Sequence, residues 1–408
     1  MKCRHCSTQL KHTFLDLGSS PPSNAYLTKD ALKEAEHYYP LKVLVCDLCY
    51  LVQTEDFVKA DTMFSSDYAY FSSYSTSWLA HAKEYVEKVS SKFYLNSNSI
   101  VVEIAANDGY LLQYVKDKNI PCYGIEPTQN TAQVAREKGI EVVEEFFGVD
   151  LASRLEKQER QADLMIANNV LAHVPDINDF VKGFSILLKP NGIATFEFPH
   201  FLNLMKNNQF DTIYHEHYSY LSFTAVCNIF DFNGLAVFDV EQIPTHGGSL
   251  RVYAQLRSSG SYKVNTNVED LLEEEERAGI NSINTYQGFQ EKAEDIKNNF
   301  LSFLIKTKNN GHSVVGYGAA AKGSTLLNFS GVRPDLLPYV VDKSEAKMDK
   351  FMPGSRVPIR SETLLKKDKP DYIVIFPWNI QDEVIEQLAY VKKWGGKFVV
   401  FIPSMQII

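Results

Sequence analysis

A three-part α/β protein is predicted by three features of the chain. Two Cys-x-x-Cys pairs stand near its start, β-branched runs alternate with helical stretches from Ile100 onward, and a second strand, glycine turn and helix open at Ser313. At a typical 150 residues per domain, 408 residues make about 2.7 domains, which suits two full-sized units and a smaller one. With 45% apolar and 22% charged residues there is material for buried cores, unlike in a disordered chain. The charge sum, 41 − 50 = −9, comes without any lysine or arginine cluster, which disfavours a nucleic-acid partner. No apolar signal core follows Met1 and no apolar run reaches about 18 residues, so a cytoplasmic protein without a membrane segment is expected.

The smaller unit, residues 1–72, is read from its cysteines. Cys3-x-x-Cys6 and Cys46-x-x-Cys49 are separated by 39 residues. Two residues between thiolates let a tight turn aim both sulfurs at one ion, and two such knuckles complete a tetrahedral four-sulfur zinc site. Closed on all four positions, the ion folds the chain around it and takes no substrate; a redox pair is the alternative. Cys122 and Cys227, alone in apolar surroundings, read as core. An aromatic, hydroxyl-rich connector, 68–74, leads to the next unit.

Residues 73–256 form the second unit. A helical pattern over 77–89 precedes short strands at 100–104, 123–125, 142–143, 164–167 and 193–198, the rhythm of a parallel, doubly wound sheet. Further strands at 235–240 and 250–254 either close that sheet or begin the next unit. A helical connector, 257–310, follows. Within it 267–307 reads as helix, with Ile280, Ile283, Phe289, Ala293, Ile296, Phe300 and Phe303 on one buried stripe and the acidic run 273–276 on a solvated face. Residues 311–408 make the last unit, with strands at 313–318, 339–341, 372–376 and 397–401.

The first strand of the second unit carries Glu103 at its end and runs into a turn containing Ala105, Asn107, Asp108 and Gly109, where a backbone approaches a ligand closely. Glu126, just past the second strand, is placed to accept hydrogen bonds from a ribose diol. Alanine and asparagine stand where a dinucleotide fingerprint has its first two glycines, so a cofactor without a pyrophosphate fits better. The combination resembles the S-adenosylmethionine pocket of class I methyltransferases. Asn168 and Asn169 end the fourth strand on the same edge. Phe146 and Phe147 either border the adenine or belong to the core.

Five of the ten histidines, His173, His200, His215, His217 and His246, lie within residues 173–246. His215 and His217 are two apart, not the four that a metalloprotease helix requires, which argues against a metal there. Proton chemistry is the better reading: histidine exchanges protons near neutrality, and a neighbouring carboxylate orients it. Methyl transfer from S-adenosylmethionine to carbon requires that carbon to be made nucleophilic, as removal of a proton beside a ketone does.

These motifs together resemble the zinc-containing sugar C-methyltransferases, including the 3-C-methyltransferases that act on nucleotide-linked 4-keto sugars of the mycarose and tetronitrose type. The resemblance runs over essentially the whole chain. It is carried by the four cysteines, Glu103-Ile-Ala-Ala-Asn-Asp-Gly109, Asn169-Val-Leu-Ala-His173-Val-Pro, Tyr214-His-Glu-His217, His246-Gly-Gly-Ser249-Leu-Arg251 and Gly316-Tyr-Gly-Ala-Ala-Ala-Lys-Gly323. It implies a zinc-binding knuckle domain, a class I methyltransferase Rossmann-like domain and a C-terminal Rossmann-like domain, in a monomer or weak homodimer. S-adenosylmethionine would sit in the middle domain, with the nucleotide-linked keto sugar between the middle and C-terminal domains. His217 corresponds to the family's proposed base, with Tyr214, Glu216 and His173 as supporting residues.

In the last unit, Gly316 and Gly318 form a strand–helix turn followed by Lys322 and Ser324. Backbone N–H groups, a helix N-terminus and a lysine suit a diphosphate; a dinucleotide-type fold that binds nothing is the alternative. Asp342, ending the next strand, is placed to meet a ribose. His246, Ser249 and Arg251 are expected to line the same cleft. The remaining readings are a sugar O-methyltransferase using the same histidine against a hydroxyl, and a non-catalytic zinc-knuckle protein that binds RNA or protein.

Overall fold

The structure, a computed structural model, describes residues 1–57, 71–259 and 261–408. Two knuckles frame its first sheet. Strand β1 (His12–Ser20) pairs antiparallel with β2 (Tyr39–Val45), which pairs antiparallel with β3 (Val52–Thr54) across the second knuckle. Phe14, Leu15, Val43 and Val52 are buried, and the cluster they join also holds residues of the helical connector and the last unit.

Helix α1 (Thr76–Lys92) begins at Ser75, whose side chain accepts from Trp78 N. The middle unit then alternates β4 (Val101–Ile104), α2 (Leu112–Asp117), β5 (Cys122–Ile125), α3 (Gln129–Glu137), β6 (Glu141–Val143), α4 (Val149–Lys157), β7 (Ala162–Asn168), α5 (Ile177–Leu187) and β8 (Leu188–Pro199). After α6 (Phe201–Lys206) and the short β9 (Ser219–Tyr220) come α7 (Phe223–Phe232), β10 (Leu235–Ile243) and β11 (Ser249–Leu256). The main sheet runs β6-β5-β4-β7-β8-β11-β10. Strands β4 to β8 are parallel, whereas β11 is antiparallel to both β8 and β10, so the last two strands close this sheet.

Alternation along the strands divides the core. Val101, Leu164, Ile166 and Ile193 face α1 and α2, while Val102, Met165 and Ala167 join Phe180, Phe184 and Phe230 on the other face. Each fully buried phenylalanine contributes about 2–3 kcal/mol of transfer free energy. Strand β9 leaves the middle unit and pairs antiparallel with β3, Val52 opposite Tyr220 and Gln53 opposite Ser219, as a fourth strand of the knuckle sheet.

The connector is two helices, α8 (Thr266–Arg277) and α9 (Phe289–Asn309). The expected single stripe is interrupted at Gly279 and Gly288, whose φ values of 81° and 79° lie in the left-handed region where a helix cannot continue. The acidic run is not wholly solvated either. Glu275 is fully buried, accepts from Phe223 N, Thr224 N and the Thr224 hydroxyl at 2.7 Å each, and pairs with His200 Nε2 at 2.6 Å. That carboxylate fastens the connector to the N-terminus of α7.

The last unit contains β12 (Val314–Tyr317), α10 (Ala321–Phe329), β13 (Val340–Asp342), β14 (Ile359–Ser361), α11 (Leu364–Asp368), β15 (Tyr372–Ile375), α12 (Gln381–Gln387), β16 (Lys397–Val400) and β17 (Gln406–Ile407). Its sheet order is β14-β13-β12-β15-β16-β17, parallel except for β17. Among the described residues no helix is long and apolar enough to cross a membrane.

Candidate active site

The four knuckle cysteines converge. Cys3 and Cys49 Sγ lie 3.6 Å apart, Cys6 and Cys46 Sγ 3.5 Å, and all four sulfurs fall within 4.8 Å of one another. A zinc–sulfur distance near 2.3 Å gives tetrahedral edges of about 3.8 Å, so the set fits one zinc ion. Gln53 Nε2 and Leu48 N donate to Cys3 and Cys46 Sγ at 3.3 and 3.5 Å, as suits thiolates. Among the described residues no second group of histidine, cysteine or carboxylate side chains is arranged for a metal ion.

The knuckle unit grips the middle unit. Arg4 donates to Pro175 O at 2.7 Å, and Asn178 Nδ2 to His5 O at 2.8 Å. Beside the β3–β9 pairing, Thr54 N donates to Tyr218 O at 3.1 Å and Thr54 Oγ1 to His217 O at 3.0 Å. The segment 214–218 is therefore anchored from the knuckle sheet.

The edge expected to hold S-adenosylmethionine lies at the carboxyl ends of β4 and β7, where the sheet order changes direction and ligands of open α/β sheets bind. Beyond β4, Ala105, Asn107 and Gly109 have φ values of 55°, 49° and 73°. Left-handed backbone at an alanine costs about 1–2 kcal/mol, a strain typical of functional turns. A Cβ at Gly109 would stand 2.5 Å from Ile140 Cδ1, so packing requires the glycine there. Glu126 accepts from Asn107 N and Thr128 N at 2.9 Å each, and burial raises its pKa. Burial also drives Glu103 well above the usual carboxylate range, with Tyr110 pulling it back.

Asp108 Oδ1, Asn168 Oδ1 and both polar side-chain atoms of Asn169 are buried and meet no hydrogen-bond partner among the described residues. Unmet polar atoms gathered on one sheet edge fit a ligand rich in donors and acceptors, as S-adenosylmethionine is. Ser72 N donates to Asn107 Oδ1 at 3.0 Å and Ser73 N to Asp108 Oδ2 at 3.3 Å, so the end of the hydroxyl-rich connector lies against this turn. Its residues 68–70 lie outside the described residues. Phe147 packs edge-on against Phe180 and Phe184 as core, and Phe146 is half exposed.

His217 is the centre of the second cluster. Its ring lies 4.0 Å from that of Tyr214 and 4.6 Å from that of His173. His217 Nδ1–H donates to Thr212 O at 2.9 Å, and His173 Nδ1–H to Glu216 O at 2.8 Å. Donation from Nδ1 leaves the lone pair of a neutral ring on Nε2, and neither residue is fully buried. Burial first, and then His173, hold His217 well below its ordinary pKa.

Glu216 does not orient His217 as a neighbouring carboxylate was expected to. Its carboxylate accepts from Ser23 Oγ at 3.0 and 3.1 Å and from Asn24 Nδ2 at 3.2 Å, joining the segment between β1 and β2 to this loop. His215 meets a different partner from His217, with Nε2 3.2 Å from Pro40 O.

On the side facing the last unit, the His246 ring packs 5.2 Å from Trp78. Ser249 Oγ donates to Thr245 O at 2.9 Å. Arg251, expected in the cleft, is buried, with its guanidinium 2.6 Å from Glu197 Oε1 and over the Tyr85 ring. Glu197 also meets His81 Nε2 at 2.8 Å, so this ion pair braces the sheet behind His246. Ser324 Oγ donates to Ser23 O at 2.9 Å, and Asp342 accepts from Ala319 N and Ser344 N at 2.7 and 2.8 Å. A Cβ at Gly316 or Gly318 would stand 2.6 or 2.5 Å from Phe376 Cε2 or Pro377 Cδ, so protein side chains fill the space beside both glycines.

Sequence reasoning missed Asp211 and Trp378, which bridge the two units, and Gln209 and Asn379, which bond within the middle and the last unit on either side of them. Trp378 Nε1 donates to Asp211 Oδ2 at 2.7 Å and Gln209 Nε2 to Gly247 O at 2.8 Å. A Cβ at Gly247 would stand 2.5 Å from Trp378 Cη2. Burial raises Asp211 to about 7, and the cation of Lys322 opposes the rise.

His246 gives a pH test. Burial, followed by the nearby Lys322 cation, lowers its pKa to about 4, against 6.5 when unfolded. The unfolded chain is then the larger proton binder between about pH 6.5 and 4, and protonation works against the fold only as pH drops through that window. Relative to the native protein, His246→Asn is expected to gain stability below pH 6.5, by about 2–3 kcal/mol near pH 4 at 1.4 kcal/mol per pH unit, and nothing further above 6.5. Denaturant titrations of both proteins check this; a difference independent of pH contradicts it.

Comparison with known proteins finds three family models along the chain. Residues 3–64 match a putative zinc binding domain, 78–240 a methyltransferase domain and 244–403 a C-methyltransferase C-terminal domain. The C-methyltransferase NovU of Streptomyces niveus is 32% identical over 407 residues, covering 100% of this chain and 96% of its own. A ubiquinone biosynthesis O-methyltransferase of Bordetella avium (strain 197N) is 28% identical over 98 residues, 24% of this chain and 41% of that protein. Among solved structures, the PH0226 protein of Pyrococcus horikoshii OT3 aligns with 46% of this chain and 95% of its own at 13% identity, with a TM-score of 0.38.

Proposed function

This chain belongs to the zinc-containing, S-adenosylmethionine-dependent C-methyltransferases, and from that membership we propose that it methylates the carbon beside the ketone of a nucleotide-linked 4-keto deoxysugar, C3 of the ring. The observation that carries the reading is His217: a neutral imidazole pinned through Nδ1 to Thr212 O, with Nε2 the remaining basic atom and Tyr214 and His173 against its ring.

Bound S-adenosylmethionine supplies a methyl group on a sulfonium, an electrophile that needs a carbon nucleophile. His217 Nε2 takes the proton beside the ketone; the C–H pair becomes the enolate double bond and the carbonyl π pair moves to oxygen. Tyr214 and His173 face the oxygen that gains charge. S-adenosylmethionine, held on the edge formed by Glu103, Asn107 and Glu126, would supply the methyl group that this carbon takes up, its sulfonium becoming a neutral thioether as the ketone is restored. Glu103, Ala105, Asn107, Gly109, Glu126, Asn168 and Asn169 form the cofactor side of this reading; His246, Ser249 and the start of α10 form the sugar side. Residues 73–256 are accordingly the cofactor-binding domain and 311–408 the domain that covers the sugar nucleotide. Glu216 and Arg251 act as positioning residues, because their charged groups are engaged with Ser23, Asn24 and Glu197.

The test is incubation of the purified protein with methyl-labelled S-adenosylmethionine and a panel of 4-keto sugar nucleotides. Label on a non-exchangeable ring carbon is expected. Label on oxygen, or none with the whole panel, overturns the reading. Deuterium exchange beside the ketone without cofactor separates carbon from oxygen methylation, since only the former requires an enolate.

A further inference from the structure

Lys322 is a cation close to the proposed base, with no carboxylate in direct contact among the described residues. Its ammonium lies 4.4 Å from the centroid of the Trp378 ring and donates to Asn379 Oδ1, yet it makes no ion pair among the described residues. Asp211, whose charge acts on it, has one oxygen bonded to the Trp378 indole. Burial lowers Lys322 to about 8, which leaves it mostly charged at neutral pH. A partly buried ammonium whose carboxylate neighbour is itself turned to the Trp378 indole favours an anionic ligand group.

Two groups of the proposed substrate carry negative charge: the diphosphate, and the ketone oxygen once a proton has left its neighbouring carbon. The local packing distinguishes them. Lys322 and Thr325 stand three apart on α10 and so share a face, and Thr325 Oγ1 donates to Ile213 O at 2.8 Å, one residue before Tyr214. The cation consequently lies alongside the segment that carries His217, and its charge acts on both His217 and His246. The glycines that would let a diphosphate approach the backbone instead pack against Phe376 and Pro377.

We infer that Lys322 faces the enolate oxygen as its counter-ion, held in place by Trp378, Asn379 and Asp211, and does not serve chiefly as a diphosphate ligand. This rests on the assignment of His217 as base. As the C–H pair moves into the enolate and negative charge collects on oxygen, the ammonium keeps its proton and donates a hydrogen bond to that oxygen. When the carbon takes the methyl group the ketone re-forms and the hydrogen bond weakens. The interaction is thus stronger with the enolate than with the ketone, which is the condition for accelerating the chemical step.

The test compares the native protein with Lys322→Met and Lys322→Gln, which keeps a donor for Asn379. Three quantities are measured: cofactor-free deuterium exchange beside the ketone, the Kd of a nucleoside diphosphate, and the Kd of S-adenosylhomocysteine as a check of folding. Exchange slowed about 100- to 1,000-fold, with both Kd values within about threefold of native, is expected. Native-like exchange in a folded variant overturns the inference, whether or not the diphosphate Kd rises, and leaves the base assignment standing. Absence of exchange in the native protein with every keto sugar overturns the base assignment and this inference with it.

Discussion

Replacement of His217 by asparagine is expected to lower methyl transfer about 100- to 10,000-fold, the usual contribution of a positioned general base, or roughly 3–5 kcal/mol of transition-state stabilisation. The substitution removes Nε2 and keeps a polar side chain that can still donate toward Thr212 O, the hydrogen-bond partner of His217 Nδ1. A large loss of stability is therefore not expected, because the residue is only half-buried and the segment is held by Thr54, Tyr220 and Thr325 through its backbone groups. Affinity for S-adenosylhomocysteine should stay within about threefold, since the cofactor edge is built from Glu103, Glu126 and the turn after β4. Cofactor-free deuterium exchange should fall in parallel with methyl transfer, because both pass through the same enolate. A variant that exchanges at a tenth of the native rate or faster shows that another group takes the proton.

What the sequence discloses about this site depends on how far apart its parts lie along the chain. The knuckles are local: two residues between thiolates already specify a turn, and the convergence of Cys3, Cys6, Cys46 and Cys49 follows from it. The alternation of β4 to β8 with helices is equally local, so a parallel, doubly wound sheet could be anticipated. β9 could not. It is two residues long, and its partner Val52 lies far back in another unit, so no periodicity in Ser219–Tyr220 announces it. The break in the connector is hidden for a related reason: Ile280 and Ile283 extend the apolar stripe through a segment that is not α-helical, and only the backbone at Gly279 and Gly288 reveals the change. Residue type alone did not reveal the partners of Glu216 and Arg251. Both have the right charge at the right place in the chain, but Ser23 and Asn24 claim one side chain and Glu197 the other. Asp211 and Trp378 were invisible as a pair, because a tryptophan after β15 meets a carboxylate before β9 only when the two Rossmann-like units are joined.

Complete removal of zinc, or Cys46→Ser, is expected to abolish at least 99% of methyl transfer even though the ion takes no part in the proposed chemistry. The knuckle unit shares its buried apolar residues with the neighbouring units, and a structural zinc in a small domain supplies apparent binding free energy of about 10–16 kcal/mol, which is folding free energy. Without it β3 loses its frame, and with β3 go the pairing to β9 and the Thr54 bonds to His217 O and Tyr218 O. Those contacts fix the backbone on both sides of the imidazole, and displacement of a base by about 1 Å costs on the order of 100-fold. The cofactor turn depends on other partners, Glu126 and Thr128, so S-adenosylhomocysteine should still bind. Metal analysis, thermal melting and binding measured on one chelated sample separate the possibilities. Loss of the knuckle transition together with activity and deuterium exchange, and with cofactor affinity largely retained, is the expected result. A zinc-free protein that still exchanges deuterium at the native rate contradicts it, because His217 would then be held in place without the sheet that presents its carbonyl to Thr54.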